Sequence, residues 1–460
     1  MISASMMSEV FRKIKGDRSY VSLENRNAFL QYPKLLKKVR IAIFFLIIIT
    51  LFFSLTLNNS IAIFVMWLVS FAIAIKQHGW IKKMRCWFQR TFDYDLMLLD
   101  FLLSNNLYSE KDGIMESAEF SYEEKENEII IYGIKNGDRF TSRLEGLQIE
   151  ISALLNLPLT EKVVREGVVE YHFQTVKPPR LHLISTGEPT YNDSHKIDLG
   201  YGVVYDPTKT PHILVAGGTG SGKSVFISFL ILEIFRKRSK KSRKNSEVFI
   251  CDPKNSDLGS LSVYLGTEKV ATTPNNIARV IRSAVEEMQK RYEYMNDPAN
   301  FKYGSNFIDH DMKQIWVIFD EMGAFVATAT EKKSKEVVNE VMDGIKQLIL
   351  LGRQAGVFVL IAGQQMRAEN LSSELRDNLG LRIALGSNSL DGYRMVMGNA
   401  MPETIPPIDV KGSGLLYMQG SGKETAQYYE APYMSADEFD FIEELKLYIG
   451  SDEKRSSSQA

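Results

Sequence analysis

The sequence is poor in the residues that build disulfide or zinc frameworks. It has 460 residues but only two cysteines, Cys86 and Cys251, and no cysteine–histidine cluster with the spacing of zinc ligands. Cys86 lies in a basic stretch, and Cys251 lies in a predicted core strand. We therefore expect no disulfide scaffold, and a reducing cytosol suits most of the chain.

An excess of charge of either sign is also missing. Lysine and arginine total 55, aspartate and glutamate total 56, and the formal net charge is −1. Overall charge therefore argues neither for nor against a nucleic-acid partner, and any electrostatic argument must be local. The length predicts roughly two to four domains.

Glycines concentrate between a predicted strand, 213–216, and a predicted helix, 225–235. Residues 217–224 read Gly-Gly-Thr-Gly-Ser-Gly-Lys-Ser and match the phosphate-loop pattern G-x-x-x-x-G-K-[ST]. In such a loop the backbone N–H groups wrap the phosphates of ATP, Lys223 reaches the β- and γ-phosphates, and the Ser224 hydroxyl binds Mg²⁺. The predicted nucleotide-binding residues are Gly217, Gly218, Thr219, Gly220, Ser221, Gly222, Lys223, Ser224 and Val225.

A second Gly-Ser-Gly-Lys, at 420–423, provides an internal comparison. It lacks the first glycine at the required spacing, Glu424 replaces the serine or threonine, and no apolar helix follows. This stretch therefore predicts a turn.

Two adjacent carboxylates follow the apolar run 315–319. Downstream of a phosphate loop, Asp320 is expected to hold Mg²⁺ through its water shell, and Glu321 is expected to polarise the attacking water as general base. The pair favours an ATPase over a GTPase or a small kinase.

Two further catalytic candidates flank the predicted strand 357–362. Gln364 follows its carboxyl end, where ligands of parallel sheets bind, and is the sensor candidate; a capping glutamine is the alternative. Arg353 precedes the strand and could act as an arginine finger for a neighbouring subunit, although spacing alone favours an ordinary surface arginine.

The stretch 236–244 holds seven basic residues among nine. It follows the predicted phosphate-loop helix. Two interpretations stay open: binding of DNA or anionic-lipid phosphates, and a solvated helix end where cations are favoured anyway.

Two apolar stretches, 41–57 and 61–75, follow a polar and basic N-terminal segment, 1–40. Lysines and arginines flank their outer ends, and none lies between them. The pattern predicts two transmembrane helices, about 41–57 and 60–76, in a multi-pass protein of the cell membrane whose termini and motor are cytoplasmic, with no cleaved signal. A buried hairpin in a soluble protein is the alternative.

Residues 91–195 are predicted to form a small α/β domain without a catalytic constellation. The expected elements are helices 92–107 and 144–155, strands 128–134 and 139–144 joined as a hairpin at Asn136-Gly137, and strands 168–175 and 181–184.

Residues 196–435 alternate strand and helix, which predicts an α/β fold with a mainly parallel sheet. A C-terminal helix and a disordered tail are expected over 436–460, with the disorder over 451–460. The predicted strands are 213–216, 247–251, 315–319, 357–362 and 381–385.

Several stretches between 200 and 430 resemble, in order, the motor of the FtsK/SpoIIIE family of DNA translocases. The resemblance implies a RecA-like P-loop ATPase fold, a homo-hexameric ring with ATP sites between subunits, and DNA threaded through the pore. It also implies that Arg353 acts in trans, with Arg382 as a weaker second candidate. Pore contacts are expected from loops after the strand that carries Asp320, such as 324–335, although the sequence does not place them. The matching stretches are 211–217, the phosphate loop, 252–254, 287–292, 320–321, 352–356, 382–384 and 412–416.

The sequence also departs from the family pattern, and these differences favour one group within the family. The family's Ala-Thr-Gln-Arg-Pro-Ser is Ala-Gly-Gln-Gln-Met-Arg here, at 362–367. The additional spans, the Pro/Gln-rich linker and the winged-helix domain of chromosome-segregating members are not recognised in the sequence. The chain therefore resembles most the TcpA-like coupling proteins of Gram-positive conjugative elements, which implies a relaxase and conjugation channel proteins as partners.

Three other functions stay open. A protein-secretion motor of the type VII kind shares the fold family but usually carries several motor domains. A chromosome-partitioning DNA translocase is the second. A membrane scaffold with an inactive nucleotide-binding module is the third, and the intact Lys223, Ser224, Asp320 and Glu321 count against it.

Overall fold

The computed structural model describes residues 20–23, 26–54, 60–91, 93–111, 114–364 and 372–456. The chain divides into two compact units, the first ending at Val176 and the second beginning at Lys177.

Two long helices lie near the start of the first unit. They are α1, Arg26–Ser54, and α2, Ser60–Thr91. They pack on each other, and the Thr50 and Ser70 hydroxyls lie 3.1 Å apart across the contact. Among the described residues, one helix is long and apolar enough to cross a membrane, over Ile63–Cys86. The end of the first predicted span, 55–57, lies outside the described part of the chain.

The rest of the first unit is an antiparallel sheet covered by short helices. Five strands pair in the order β1-β4-β5-β7-β6, β2 pairs with β3, and the core includes Leu98, Phe120 and Ile131. The elements are β1 Tyr20–Val21, α3 Asp93–Ser104, β2 Tyr108–Lys111, β3 Ile114–Ser117, β4 Glu119–Glu124, β5 Glu128–Ile134, α4 Thr141–Leu144, α5 Gln148–Leu155, β6 Leu159–Val164 and β7 Val168–Gln174.

The predicted hairpin at Asn136-Gly137 is wrong. The turn exists, with Gly137 at φ +76°, but the chain then enters α4 instead of a strand at 139–144. The Asp138 carboxylate accepts the Phe140 N–H at 2.9 Å, and Phe140 and Leu144 both enter the core at helical spacing. β5 therefore pairs with β4 and β7.

The second unit begins earlier than the predicted boundary at 195/196. Its first strand, β8 (His182–Leu183), pairs with β19 (Tyr433–Met434) near the other end of the unit. The Thr186 N–H also donates to the Glu444 carboxylate at 2.7 Å. These long-range contacts join 177–195 to the following unit.

Eight strands form the main sheet of the second unit, in the order β13-β12-β14-β15-β11-β16-β17-β18. All pairs up to β16 are parallel, and β17 and β18 join antiparallel, so the prediction of a mainly parallel sheet is confirmed. The strands of this sheet are β11 Ile213–Gly217, β12 Glu247–Cys251, β13 Val270–Ala271, β14 Ile315–Phe319, β15 Val357–Gly363, β16 Leu381–Leu385, β17 Ser413–Met418 and β18 Gln427–Glu430. Two further strands, β9 Ile197–Asp198 and β10 Val204–Tyr205, pair with each other as a separate two-stranded sheet.

Helices cover both faces of this sheet. α6 and α13 pack on one face and α8, α10 and α12 on the other, which gives three layers with two apolar cores. α13 continues to Ser456, into the stretch predicted to be disordered. The helices are α6 Lys223–Phe235, α7 Ser262–Leu265, α8 Pro274–Asn296, α9 Met322–Val326, α10 Lys332–Ala355, α11 Ser373–Asp377, α12 Leu390–Met397 and α13 Phe441–Ser456.

The five predicted strands of this sheet are confirmed, with the same bounds or one residue more. The predicted turn at 420–423 is also confirmed, since it joins β17 and β18. Because β11, β12, β14, β15 and β16 run parallel, the loops that follow them meet at one edge of the sheet, here called the carboxyl edge. The opposite edge is called the amino edge.

Candidate nucleotide site

The glycine-rich loop joins β11 to α6 at the carboxyl edge. Gly220 and Gly222 have φ of +77° and +98°, a region that glycine adopts without the steric cost a side chain would bring. Residues 218–220 are exposed, whereas Lys223 at the start of α6 is buried. The loop is therefore an open backbone cradle at a helix N-terminus, which favours anions.

Close packing explains other glycines around the cradle. A Cβ on Gly217 would lie 2.3 Å from the Ser221 Oγ, and a Cβ on Gly222 would lie 3.0 Å from the Gly412 Cα. Gly412 belongs to the stretch 412–416, which the sequence analysis gave only as a match to the family. In the structure a glycine is needed at 412 because the strand that enters the sheet there passes against the phosphate loop.

Two carboxylates face the loop from the end of β14. Lys223 Nζ lies 2.7 Å from Asp320 Oδ1 and 3.6 Å from Glu321 Oε2, and all three residues are buried. Glu321 has φ +55°, an uncommon backbone conformation for a side-chain-bearing residue. The sequence prediction that these three residues share one site is consistent with this geometry.

Two groups to which the sequence analysis gave no role, the backbone N–H of Gln364 and the ammonium group of Lys254, complete the surroundings of Glu321. The backbone N–H of Gln364 donates to Glu321 Oε1 at 3.0 Å, and Lys254 Nζ lies 3.2 Å from Oε2. The Gln364 side chain is exposed. The observed contact with Glu321 is therefore made by the backbone of Gln364. The residues from 365 onward, where the sequence departs from the family pattern, lie outside the described residues.

These donors set the ionisation of Glu321. Burial raises the pKa of its carboxyl group, but the Gln364 N–H bond and the ammonium groups of Lys223 and Lys254 outweigh burial and leave the pKa below its ordinary value. Glu321 is therefore ionised at neutral pH, the form that a general base requires.

Lys254 is positioned by the fully buried Asp252 at the end of β12. One Asp252 oxygen accepts from the Ser256 N–H at 2.7 Å and the Gly259 N–H at 2.9 Å, and the other accepts from the Lys254 N–H at 3.1 Å. The Asp-Pro-Lys stretch is thus a folded turn that presents Lys254 to Glu321.

Arg353 lies at the other end of the sheet. It is exposed in the last turn of α10, just before β15, whose seven residues separate the two edges by about 20 Å. Among the described residues it has no ion-pair partner. Because the two edges are so far apart, Arg353 cannot reach the phosphate loop of its own chain.

Arg382, the weaker second arginine, is occupied within its own chain. It is buried, and its guanidinium donates to the carbonyls of Leu379 and Met397, both at 3.0 Å, and to Asp377 at 3.3 Å. Burial lowers its pKa, which the neighbouring Asp377 partly offsets. Arg382 therefore braces the amino edge and is not available to a neighbour.

The basic run divides into two parts. Arg236 contacts Glu233 at 2.7 Å and the Tyr448 hydroxyl at 3.0 Å, and Lys237 is buried beside Glu233. Arg238 stacks on Tyr191. These first cations fasten the end of α6 to α13 and the segment before β9, whereas Lys240, Lys241 and Lys244 are exposed. Neither phosphate binding nor a solvated helix end therefore describes the whole stretch 236–244.

The residues fit a magnesium nucleoside triphosphate. The buried Ser221 hydroxyl has no hydrogen-bond partner among the described residues, and the cradle leaves no room for Cβ atoms at Gly217 and Gly222. Within the described part of the chain, no three histidine, cysteine or acidic side chains group closely enough to hold a metal. An ion near Asp320 and Ser224 would thus need further oxygen ligands, such as phosphates.

Comparison with known proteins agrees with this geometry. The profile of the FtsK/SpoIIIE family matches residues 186–386. This part of the chain is similar to the FtsK/SpoIIIE domain. It contains the phosphate loop, Asp320, Glu321 and Arg353.

Two relatives extend the sequence similarity. The Ftsk domain-containing protein YdcQ of Bacillus subtilis is 30% identical over 296 residues, covering 64% of this chain and 58% of YdcQ. The DNA translocase FtsK of Clostridium acetobutylicum is 31% identical over 214 residues, covering 44% of this chain and 26% of the translocase. The chain thus spans just over half of the first relative and a quarter of the second.

A solved structure shares the fold. The pCW3 conjugation coupling protein TcpA, in a monomer form with ATPγS, aligns with a TM-score of 0.50 and 19% identity over 72% of this chain and 94% of TcpA. At this identity the likeness concerns the FtsK/SpoIIIE P-loop fold alone.

Proposed function

We propose that the protein is a membrane-anchored, ATP-driven DNA translocase that acts as a coupling protein in conjugative DNA transfer. The observation that carries the proposal is the cluster at the carboxyl edge, where Lys223 joins Asp320 at 2.7 Å beside the phosphate loop and Glu321. A nucleotide-binding scaffold without activity would not need a buried, ionised glutamate there.

The site residues take the following roles in this proposal. The loop 217–225 wraps the phosphates of ATP, and Lys223 leaves its carboxylate partners to pair with them. Ser224 and Asp320 hold Mg²⁺, which neutralises phosphate charge. Glu321 is the general base that orients and deprotonates water, and Gln364 senses the γ-phosphate. Arg353 completes the site of a neighbouring copy, because its own site is about 20 Å away.

The polymer that is moved is proposed to be DNA. Support comes from the FtsK/SpoIIIE domain and from a relative named a DNA translocase. Exposed Lys332, Lys333 and Lys335 at the start of α10 lie within the segment 324–335 expected to face a pore. Contacts of this kind bind the DNA backbone and weaken as salt rises.

Membrane anchoring is proposed to use α1 and α2 as a hairpin, with both termini and the motor in the cytoplasm. The apolar side chains of Phe44, Phe52, Phe64 and Phe71 are exposed on these helices. The polar Thr50 and Ser70 instead face each other between them, as side chains in a bilayer are expected to do.

The conjugative role rests on the coupling-protein group that the sequence resembles and on the name of TcpA. It implies a homo-hexameric ring that receives DNA bound to a relaxase and passes it to channel proteins. A chromosome-partitioning translocase or a protein-secretion motor would use the same nucleotide site with a different partner.

The test is ATP hydrolysis by the full-length chain in lipid nanodiscs, with and without DNA. We expect DNA to stimulate turnover and the Lys223→Ala variant to be inactive under both conditions. Turnover indifferent to DNA but raised by a secreted protein would support the secretion motor. Absence of turnover in the unaltered chain under both conditions would refute the ATPase assignment.

A further inference from the structure

An aromatic side chain near the phosphate loop is held firmly but stays open to solvent. Tyr433, in β19, is 43% exposed, although its N–H donates to the Leu181 carbonyl at 2.8 Å and its strand pairs with β8. The Arg180 guanidinium lies over the ring, 5.4 Å from its centroid, and the His182 ring centroid lies 5.2 Å from it. An exposed aromatic ring in a fixed position offers a stacking surface to a ligand.

Arg180 connects this ring to the phosphate loop. Its Nε donates to the Ala431 carbonyl at 2.7 Å, and the Ala431 N–H donates to the Gly412 carbonyl at 2.9 Å. A Cβ on Gly412 would lie 2.4 Å from Arg180 Nη2, and Gly412 packs in turn on Gly222 of the loop. A single glycine therefore separates the guanidinium from the loop.

The terminal amino groups of Arg180 are available to a ligand. Within the described residues, neither amino group has a hydrogen-bond acceptor or an ion-pair partner. The neighbouring Glu430 carboxylate is instead bonded to Lys177 Nζ at 2.5 Å and accepts the Tyr428 hydroxyl at 2.8 Å. Arg180 therefore keeps N–H donors that oxygen atoms of a ligand can accept.

These groups are arranged in the order of the parts of a nucleoside triphosphate. The phosphates belong to the loop, so the sugar and the base must extend away from it. The loop, Gly412, Arg180 and Tyr433 follow one another in space. N–H donors beside the loop suit the oxygens of a ribose, and an aromatic ring beyond them suits the flat face of a base.

We propose that Arg180 and Tyr433 form the subsite for the nucleoside half of ATP, in which Arg180 donates to the ribose and the base packs against the Tyr433 ring. The inference rests on the proposed function, because the phosphates must lie in the loop. It brings two segments far apart in the sequence, 177–183 and 431–434, into the ATP site. Their contacts add affinity for ATP that inorganic triphosphate, which lacks a sugar and a base, does not gain.

Calorimetric binding of ATP and of inorganic triphosphate, both with Mg²⁺, to the full-length chain in lipid nanodiscs tests this subsite. Tyr433→Ala should weaken ATP binding by about 5- to 100-fold, the range expected for the loss of one base–aromatic stack, and leave triphosphate binding unchanged. Tyr433→Phe keeps the ring and should bind both ligands as the unaltered chain does. Arg180→Gln should also weaken the binding of ATP alone.

Tyr294→Ala is the matched control. Tyr294, on α8, is 49% exposed, and its ring lies beside His310 with the centroids 6.0 Å apart. It therefore resembles Tyr433 in exposure and in its histidine neighbour. Its removal should leave the binding of both ligands unchanged.

Three results would overturn the inference. Unchanged ATP binding in Tyr433→Ala would mean that the base lies elsewhere, and an equal loss of both ligands would mean that Tyr433 only supports the fold of the loop. Weaker triphosphate binding in Arg180→Gln would assign this arginine to the phosphates. Failure of the unaltered chain to bind either ligand is a different result, which would count against the proposed function itself.

Discussion

At the scale of single side chains, Glu321 has the most constrained position in the site. One carboxylate oxygen accepts the Gln364 N–H, and the other faces the ammonium groups of Lys254 and Lys223. Of these donors, Lys223 is the one that can pair with a nucleotide phosphate instead of Glu321, because it is the lysine of the phosphate loop. Nucleotide binding would then leave one carboxylate oxygen of Glu321 able to accept a proton from water.

Replacing Glu321 by glutamine tests that role. The amide keeps the size of the side chain but cannot accept a proton, so ATP binding should persist while hydrolysis slows by about 10²- to 10⁴-fold. Binding of a fluorescent ATP analogue and phosphate release would be measured separately. Glu336→Gln, an exposed carboxylate on α10, is the control and should leave both unchanged. Unimpaired hydrolysis in Glu321→Gln would mean that another group is the base.

His212 couples the stability of the second unit to pH. It is fully buried before β11, and its Nδ1 accepts the Val359 N–H at 3.0 Å. Burial lowers its pKa from 6.5 to about 3, despite an opposing effect of the Ile349 backbone. Below pH 6.5 the unfolded chain gains a proton that the folded chain resists, so the stability present above pH 6.5 is lost as the pH falls.

The expected loss is at most about 1.4 kcal/mol in the free energy of unfolding per pH unit below 6.5. His212→Asn should flatten this slope between pH 6.5 and 5, because asparagine tolerates the φ of +61° and does not titrate there. Urea unfolding followed by Trp316 fluorescence, with the other tryptophans replaced by phenylalanine, measures it. An equal slope in both chains would show that other groups cause the pH dependence.

At the scale of elements, the end of α10 is held by the tightest backbone packing near Arg353. A Cβ on Gly352 would lie 2.1 Å from the Val357 carbonyl oxygen. Gly356 ends the helix at φ +70° against Phe307. The Gly-Arg-Gln-Ala-Gly stretch is therefore a close helix-to-strand turn that presents one arginine outward.

Gly352→Ala should consequently lower the free energy of unfolding by about 2–3 kcal/mol, because the backbone must shift to admit the methyl group. Gln347→Ala introduces the same residue on the exposed face of the same helix and should be nearly neutral. Urea unfolding of the two variants gives the comparison. Equal stability of both variants would show that the close approach of Gly352 to β15 is not retained in solution.

Elements with a strong local pattern were predictable, and contacts made by the backbone were not. β11, β12, β14, β15 and β16 are continuous apolar runs, and their bounds follow directly from the sequence. β4 and β6 mix charged with apolar residues, so they were missed. The backbone N–H of residue 364 can contact Glu321 whatever side chain residue 364 carries. Such a contact therefore cannot be predicted from the residue type.

One wrong prediction and one question that the sequence left open have the same physical origin. The segment 139–144 is too short for its alternation to distinguish a strand from α4, and the core decided between them. The basic run 236–244 looked uniform, but the burial of Lys237 and the contacts of Arg236 depend on α13, which lies far away in the sequence. Tertiary partners therefore decided what local composition left open.

At the scale of the whole molecule, the second unit carries the phosphate loop and Arg353 at opposite edges of one sheet. The phosphate loop, Asp320 and Glu321 occupy the carboxyl edge, and Arg353 occupies the amino edge. One chain cannot bring them together across about 20 Å of strand. The proposed mechanism therefore requires an ATP-hydrolysis site that is complete only between two copies of the chain.

Mixing two inactive variants of the full-length chain tests this claim most directly. Arg353→Ala subunits keep an intact pocket, and Lys223→Ala subunits cannot bind ATP but keep Arg353. Each variant alone should hydrolyse ATP poorly, and mixtures should regain activity, because the arginine of one subunit serves the pocket of the other. Recovery that peaks at intermediate ratios is the predicted result, and no recovery at any ratio would contradict the account.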